Sequence, residues 1–122
     1  MTTTALSLSP EQEAALADID AIIAVRRNTM ANLKAAEAET EDEDVLRDIK
    51  SAKVALSLRN LVTVNARNKV LRTASLGPVL DALKDVTDAA EAADETLQDI
   101  LKILEQVTTV IQILDKLADI FS

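Results

Sequence analysis

The chain has 122 residues, 48% of them apolar, a single aromatic (Phe121) and a formal net charge of −8. That length is enough for one domain with a real core. The complete absence of His, Cys, Trp and Tyr removes thiol nucleophiles, imidazole bases, thiolate or imidazole metal sites and the usual haem ligands.

The remaining reactive groups are carboxylates, Lys, Arg and hydroxyls, so the expectation is a non-enzyme with no catalytic residue, cofactor or metal to assign. One Gly and two Pro leave too few turns for a β-fold and point to a few long helices built on Leu, Ile, Val and Ala. The expected class is an all-α helical bundle of three long helices. It forms one domain over 10–122 behind a disordered tail at 1–9. The tail has neither a basic start nor a continuous apolar run, so it does not read as a signal peptide, and a cytoplasmic location is the default.

The first helix is expected over 10–38. Ser9 caps it, Pro10 suits the first helical position and Gln12 completes a capping box. Leu16, Ile19, Ile23, Met30 and Leu33 then recur at three- and four-residue steps, with Arg26 filling one beat. The acidic stretch EAETEDEDV, residues 37–45, reads as a solvated turn, with Thr40 and Glu43 as a second capping box. It lacks the glycine and alternating ligands of a calcium loop.

The second helix is expected over 41–75, ended by Leu76-Gly77-Pro78, where Gly77 is free to take a positive φ. A β-hairpin centred on Arg59-Asn60 competes, because the apolar residues of VALSLRNLVTV (54–64) partly alternate. On a helix, Val54, Leu58, Leu61 and Val62 share a face that continues as Asn65, Asn68, Lys69 and Arg72. Asn65 is thus a candidate register-fixing or polar-groove residue. Between Asp48 and Asp81 there is no acid, while 1–44 and 81–122 each hold ten acids and three bases. A basic helix between acidic ones sets helix order. The alternative is an anion patch of Arg59, Arg67, Lys69 and Arg72, although the aromatic groups of single-strand binders are missing and the net charge disfavours nucleic acid.

The third helix is expected over 78–121. From Val79 to Phe121 the apolar positions alternate steps of four and three without a slip. Leu83, Ala90, Leu97, Leu104, Ile111 and Ala118 take position a of a heptad. Val79, Val86, Ala93, Ile100, Val107, Leu114 and Phe121 take d, and most g positions are apolar too, which is wider than a two-stranded seam. At about 66 Å this helix outruns partners of about 43 and 52 Å. Either it breaks near the alanine-rich segment 88–95, or its uncovered stripe meets another chain. The preferred expectation is a homo-oligomer or helical protein partner engaged through Leu97, Ile100, Leu104, Val107, Ile111 and Leu114. The longest uncharged run of this helix, 106–114, is nine residues, too short for a transmembrane segment.

The expected role is therefore structural or protein–protein interaction, as scaffold, assembly factor or adaptor. The alternatives are a membrane-active or secreted helical protein that exposes its apolar C-terminal face, and an anion-binding module using the basic middle helix.

Overall fold

The computed structural model describes residues 7–73 and 75–122. Most of the segment expected as a tail, and Ala74 within the second connection, lie outside these residues. Among those described, all regular structure is helical: α1 Pro10–Glu39, α2 Glu43–Ser57, α3 Asn60–Arg72, α4 Gly77–Ala93 and α5 Ile100–Ile120. No strand forms across 54–64. Four columns pack together, with α2 and α3 making one interrupted column.

The expected count of three helices is corrected in two places. The second helix breaks at Leu58-Arg59, where the Arg59 N–H bonds to the Leu56 carbonyl at 3.1 Å and the Val62 N–H to the Arg59 carbonyl at 3.1 Å. These short-range bonds tighten the chain. The Arg59 guanidinium covers the Ala55 carbonyl at 3.0 Å. The third helix breaks across Asp94–Asp99. Asp94 closes α4, and the Asp99 carboxylate accepts the Leu101 N–H at 3.0 Å to start α5.

The ends are set by local chemistry. Ser9 Oγ accepts the Gln12 N–H and Gln12 Oε1 accepts the Ser9 N–H, at 3.1 and 2.9 Å, a complete capping box. Thr40 does not cap α2 as expected. It closes α1, and Asp42 caps α2 by accepting from the N–H groups of Asp44 and Val45. Gly77 does not adopt a positive φ. It is the first residue of α4, and a Cβ there would lie 3.2 Å from the Glu11 carboxylate. Its use is close approach: Glu11 sits against the N-terminus of α4, where the helix dipole favours a negative charge.

Contacts between columns fix the topology. Lys53 meets Glu37, Arg67 meets Asp20 and Gln12 reaches the Val70 carbonyl, so α2/α3 runs antiparallel to α1. Glu11 meets Leu76 and Asn28 meets Asp94, so α4 runs parallel to α1, and α5 returns antiparallel. α1 and α5 touch each other and both remaining columns, whereas α2/α3 and α4 occupy opposite flanks. The chain therefore changes flank between α3 and α4. The first turn of α1 holds the end of α3, with Gln12 Nε2 donating to the Val70 and Thr73 carbonyls.

The core joins Ala15, Ile19, Ile22, Val25 and Leu33 of α1 to Ile49, Leu56, Ala66 and Val70 of α2/α3, Leu83, Val86 and Ala90 of α4, and the inward face of α5. That face corrects the heptad. In α4 the buried residues are Leu83, Val86 and Ala90, at a and d positions, together with Thr87, which is at neither. In α5 they are Ile103, Gln106, Val107, Val110, Ile113, Leu114 and Leu117. The centre of the stripe has moved from a and d to g and d, because the break at 94–99 releases α5 from the phase of α4. Leu101, on the other side of α5, is 69% exposed.

Candidate interaction surface

Inside the fold, the six residues expected to form an oligomerisation face are spent on the chain's own core. Val107 and Leu114 are buried, and Leu97, Ile100, Leu104 and Ile111 are partly buried against the same cluster. Halving the third helix shortens it to two pieces of about 26 and 32 Å, which α1 and α2/α3 can cover. No uncovered stripe is left on α5 by reason of length.

The exposed apolar surface lies on the second column. Its inward residues are Ile49, Leu56, Thr63, Ala66 and Val70. On the opposite side, Val54, Leu58 and Leu61 point to solvent with 53%, 74% and 66% of their surfaces open. Burying one such side chain is worth about 1.5–3 kcal/mol, so three in a row, spaced four and three apart, form a cost that a partner would recover. Val54 and Leu58 border a shallow groove of about 400 Å³ with Arg47, Lys50, Ser51 and Ala55. The exposed Val64 and Leu71 lie on the shoulder of α3.

Charge is distributed unevenly around this column. Lys53 pairs with Glu37 of α1 at 3.0 Å, Arg59 with Asp115 of α5 at 3.0 Å, and Arg67 with Asp20 of α1. These three bases join the basic column to its acidic neighbours. The suggested anion patch is thereby divided, since Arg59 and Arg67 face inward to acids. Lys69 and Arg72 remain, and among the described residues neither makes an ion pair. They line a groove of about 470 Å³ with Asn65, Asn68 and Phe121. Asn65 itself is exposed and lines this groove.

A buried polar cluster is found elsewhere. Asn32 and Gln106, both nearly inaccessible, bond to each other at 2.9 Å and both donate to the Glu95 carbonyl at 2.9 Å. Gln106 also donates to the Ala93 carbonyl at 2.9 Å, and Asn28 donates to the Asp94 carboxylate at 2.7 Å. Sequence reading missed this set because its members are far apart in the chain. The local signal was the amide of Gln106 beside Ile103, Val107 and Val110, and Gln112 in the same stretch repeats it without being buried.

Two ionisable groups are perturbed. Burial raises the Asp18 pKa; nearby Lys84 opposes the shift and Asp88 adds to it. Burial, reinforced by Arg27, lowers that of Arg26, whose guanidinium donates to the Asn60 side chain beside the α2/α3 break. Its Nε is buried with no partner among the described residues. Among the described residues no three acids are grouped to hold a metal, and no helix is long and apolar enough to cross a membrane. Comparison of the chain with protein-family models, with curated proteins and with solved structures finds no match.

Proposed function

We propose that the protein is a non-catalytic interaction module, a scaffold or adaptor, that binds another protein through the outward row of α2/α3. The single observation behind this reading is the exposure of Val54, Leu58 and Leu61 in line on one face, while the apolar side of every other column is turned inward. A row of this kind on an otherwise charged surface is typical of a contact site. Of self-association and a different helical partner, the two options left by the sequence, the second is favoured by the burial of the α5 face.

Affinity capture from the source cell tests it, with wild-type protein compared against the Leu58→Glu, Leu61→Glu double variant. Both positions are solvent-facing, so the variant keeps its helical circular dichroism and melting profile. We expect a protein retained by the wild type and lost with the variant. Identical captured proteins would reject the reading.

A second reading has its own observation, the groove lined by Asn65, Asn68, Lys69 and Arg72. Two unpaired bases beside two amides suit a small anion. Calorimetric titration with inorganic phosphate at low salt, compared between wild type and Lys69→Ala, tests it. A flat titration ends it.

A further inference from the structure

The following rests on the docking role of the α2/α3 row and names the chemistry of what docks. We infer that the row receives an acidic amphipathic helix of a partner protein, apolar at its centre and rich in Asp and Glu at both ends.

The row is apolar only in its middle. Val54, Leu58 and Leu61 occupy about 10 Å of helix. At one end stand Arg47 and Lys50, with the exposed acids Glu43, Asp44 and Asp48 within a turn of them, and at the other, free of acids, stand Lys69 and Arg72; all seven residues of the row and its basic flanks are exposed. Asp44 lies 3.6 Å from Arg47 in an open pair, which is worth little. The remaining three bases have no ion-pair partner among the described residues. Opposite charges at both ends, with Leu-like residues between, give a complementary ligand both affinity and a fixed register.

Width decides against broader anionic partners. Asp20 and Glu37 of α1 and Asp115 of α5 stand on either side of the column, with 59%, 38% and 57% of their side chains open. A bilayer or a nucleic-acid duplex lowered onto the row meets these acids and the surrounding negative surface. A single helix, about 10–12 Å across, runs along the ridge between them. The row also lacks the aromatic residues that anchor interfacial helices.

A second copy of the chain fits poorly. Two-fold pairing about Leu58 sets the basic ends of one copy against the basic ends of the other. Away from α2/α3, the one large apolar residue found exposed among those described is Leu101, so no acidic apolar face is available to pair with the row.

The test is fluorescence anisotropy with a labelled synthetic helix carrying three central Leu residues, spaced four and three apart, between Glu-rich turns. The counter-probes are the same peptide with Lys for every Glu, vesicles containing phosphatidylserine, and a DNA duplex. We expect the acidic peptide to bind. Leu58→Glu, Lys69→Glu combined with Arg72→Glu, or a rise from about 50 to about 500 mM salt should each weaken it by about tenfold or more. Equal or tighter binding of the basic peptide, the vesicles or the duplex overturns the inference, as does no binding of the acidic peptide. If the acidic peptide fails while Leu58→Glu, Leu61→Glu still loses its captured protein, the docking surface stands and only the acidic-helix assignment falls. If both fail, the docking role itself is wrong.

Discussion

Asn32 of α1 donates a hydrogen bond to Gln106 of α5 across 2.9 Å, and the two amides converge on the Glu95 carbonyl between α4 and α5. A buried amide without its partner costs about 1–3 kcal/mol. Gln106→Ala removes three bonds at once and deprives the Ala93 carbonyl of its side-chain donor, while the Glu95 carbonyl keeps Asn28 and Asn32. We expect it to lower stability by about 2–3 kcal/mol in urea unfolding, with Asn32→Ala adding less than its own separate cost because the two act as one unit. Full additivity would show that the amides do not share a network.

Moving the α5 stripe from a and d to g and d has a direct consequence for truncation. Ile103 and Leu117 are buried, while Leu104 and Ile111 are at the margin. Ile103→Ala and Leu117→Ala should each cost about 2–5 kcal/mol. Leu104→Ala and Ile111→Ala should cost clearly less on the same denaturant curves. The reverse order would restore the heptad read from the sequence.

How much of this was visible beforehand depends on where each signal lies. The all-α class follows from scarce Gly and Pro, and the start of α1 is written in Ser9, Pro10 and Gln12, neighbours that act on one another. The break at Leu58-Arg59 lies at the centre of VALSLRNLVTV, where partial alternation offers a hairpin against the preferred continuous helix over 41–75, and neither reading is an interrupted helix. Asp94–Asp99 holds no Gly or Pro, and the groups that bind the connection, Asn28, Asn32 and Gln106, are distant in sequence. Unbroken periodicity therefore looked like an unbroken helix. The outward row is legible as an apolar stripe, but α2/α3 has apolar residues on two sides. Only packing decides that small Thr63 and Ala66 go inward while Leu58 and Leu61 stay out.

Asp18 makes stability depend on pH in a defined direction. Its pKa is raised in the folded state, chiefly by burial between α1 and α4. The native state therefore binds its proton more readily than the unfolded chain, and this group's contribution falls as pH rises from 3.8 through the raised value. Asp18→Asn removes that loss. The variant should gain on wild type as pH rises above 3.8, and the difference should level off once Asp18 is ionised in both states. A difference independent of pH would show that Asp18 titrates normally.

Gly77 opens α4 without a positive φ, so alanine is compatible with the backbone. Its Cβ would meet the flexible end of Glu11 at 3.2 Å, and that carboxylate can shift. Restricting the unfolded chain favours alanine by about 0.4–1 kcal/mol. Gly77→Ala should therefore leave the melting temperature unchanged or slightly raised. A loss above about 1 kcal/mol would mean that the Glu11 contact is rigid and needed.

The most direct test of the docking surface uses the absence of cysteine from the chain. Leu58→Cys places a single thiol at the centre of the row, and Ala89→Cys places one on the exposed side of α4. Maleimide labelling is compared between the purified proteins and the same variants in the source cell. We expect both thiols to react rapidly when purified, and position 58 alone to be protected in the cell. Equal reactivity of position 58 in both settings would contradict a partner on α2/α3.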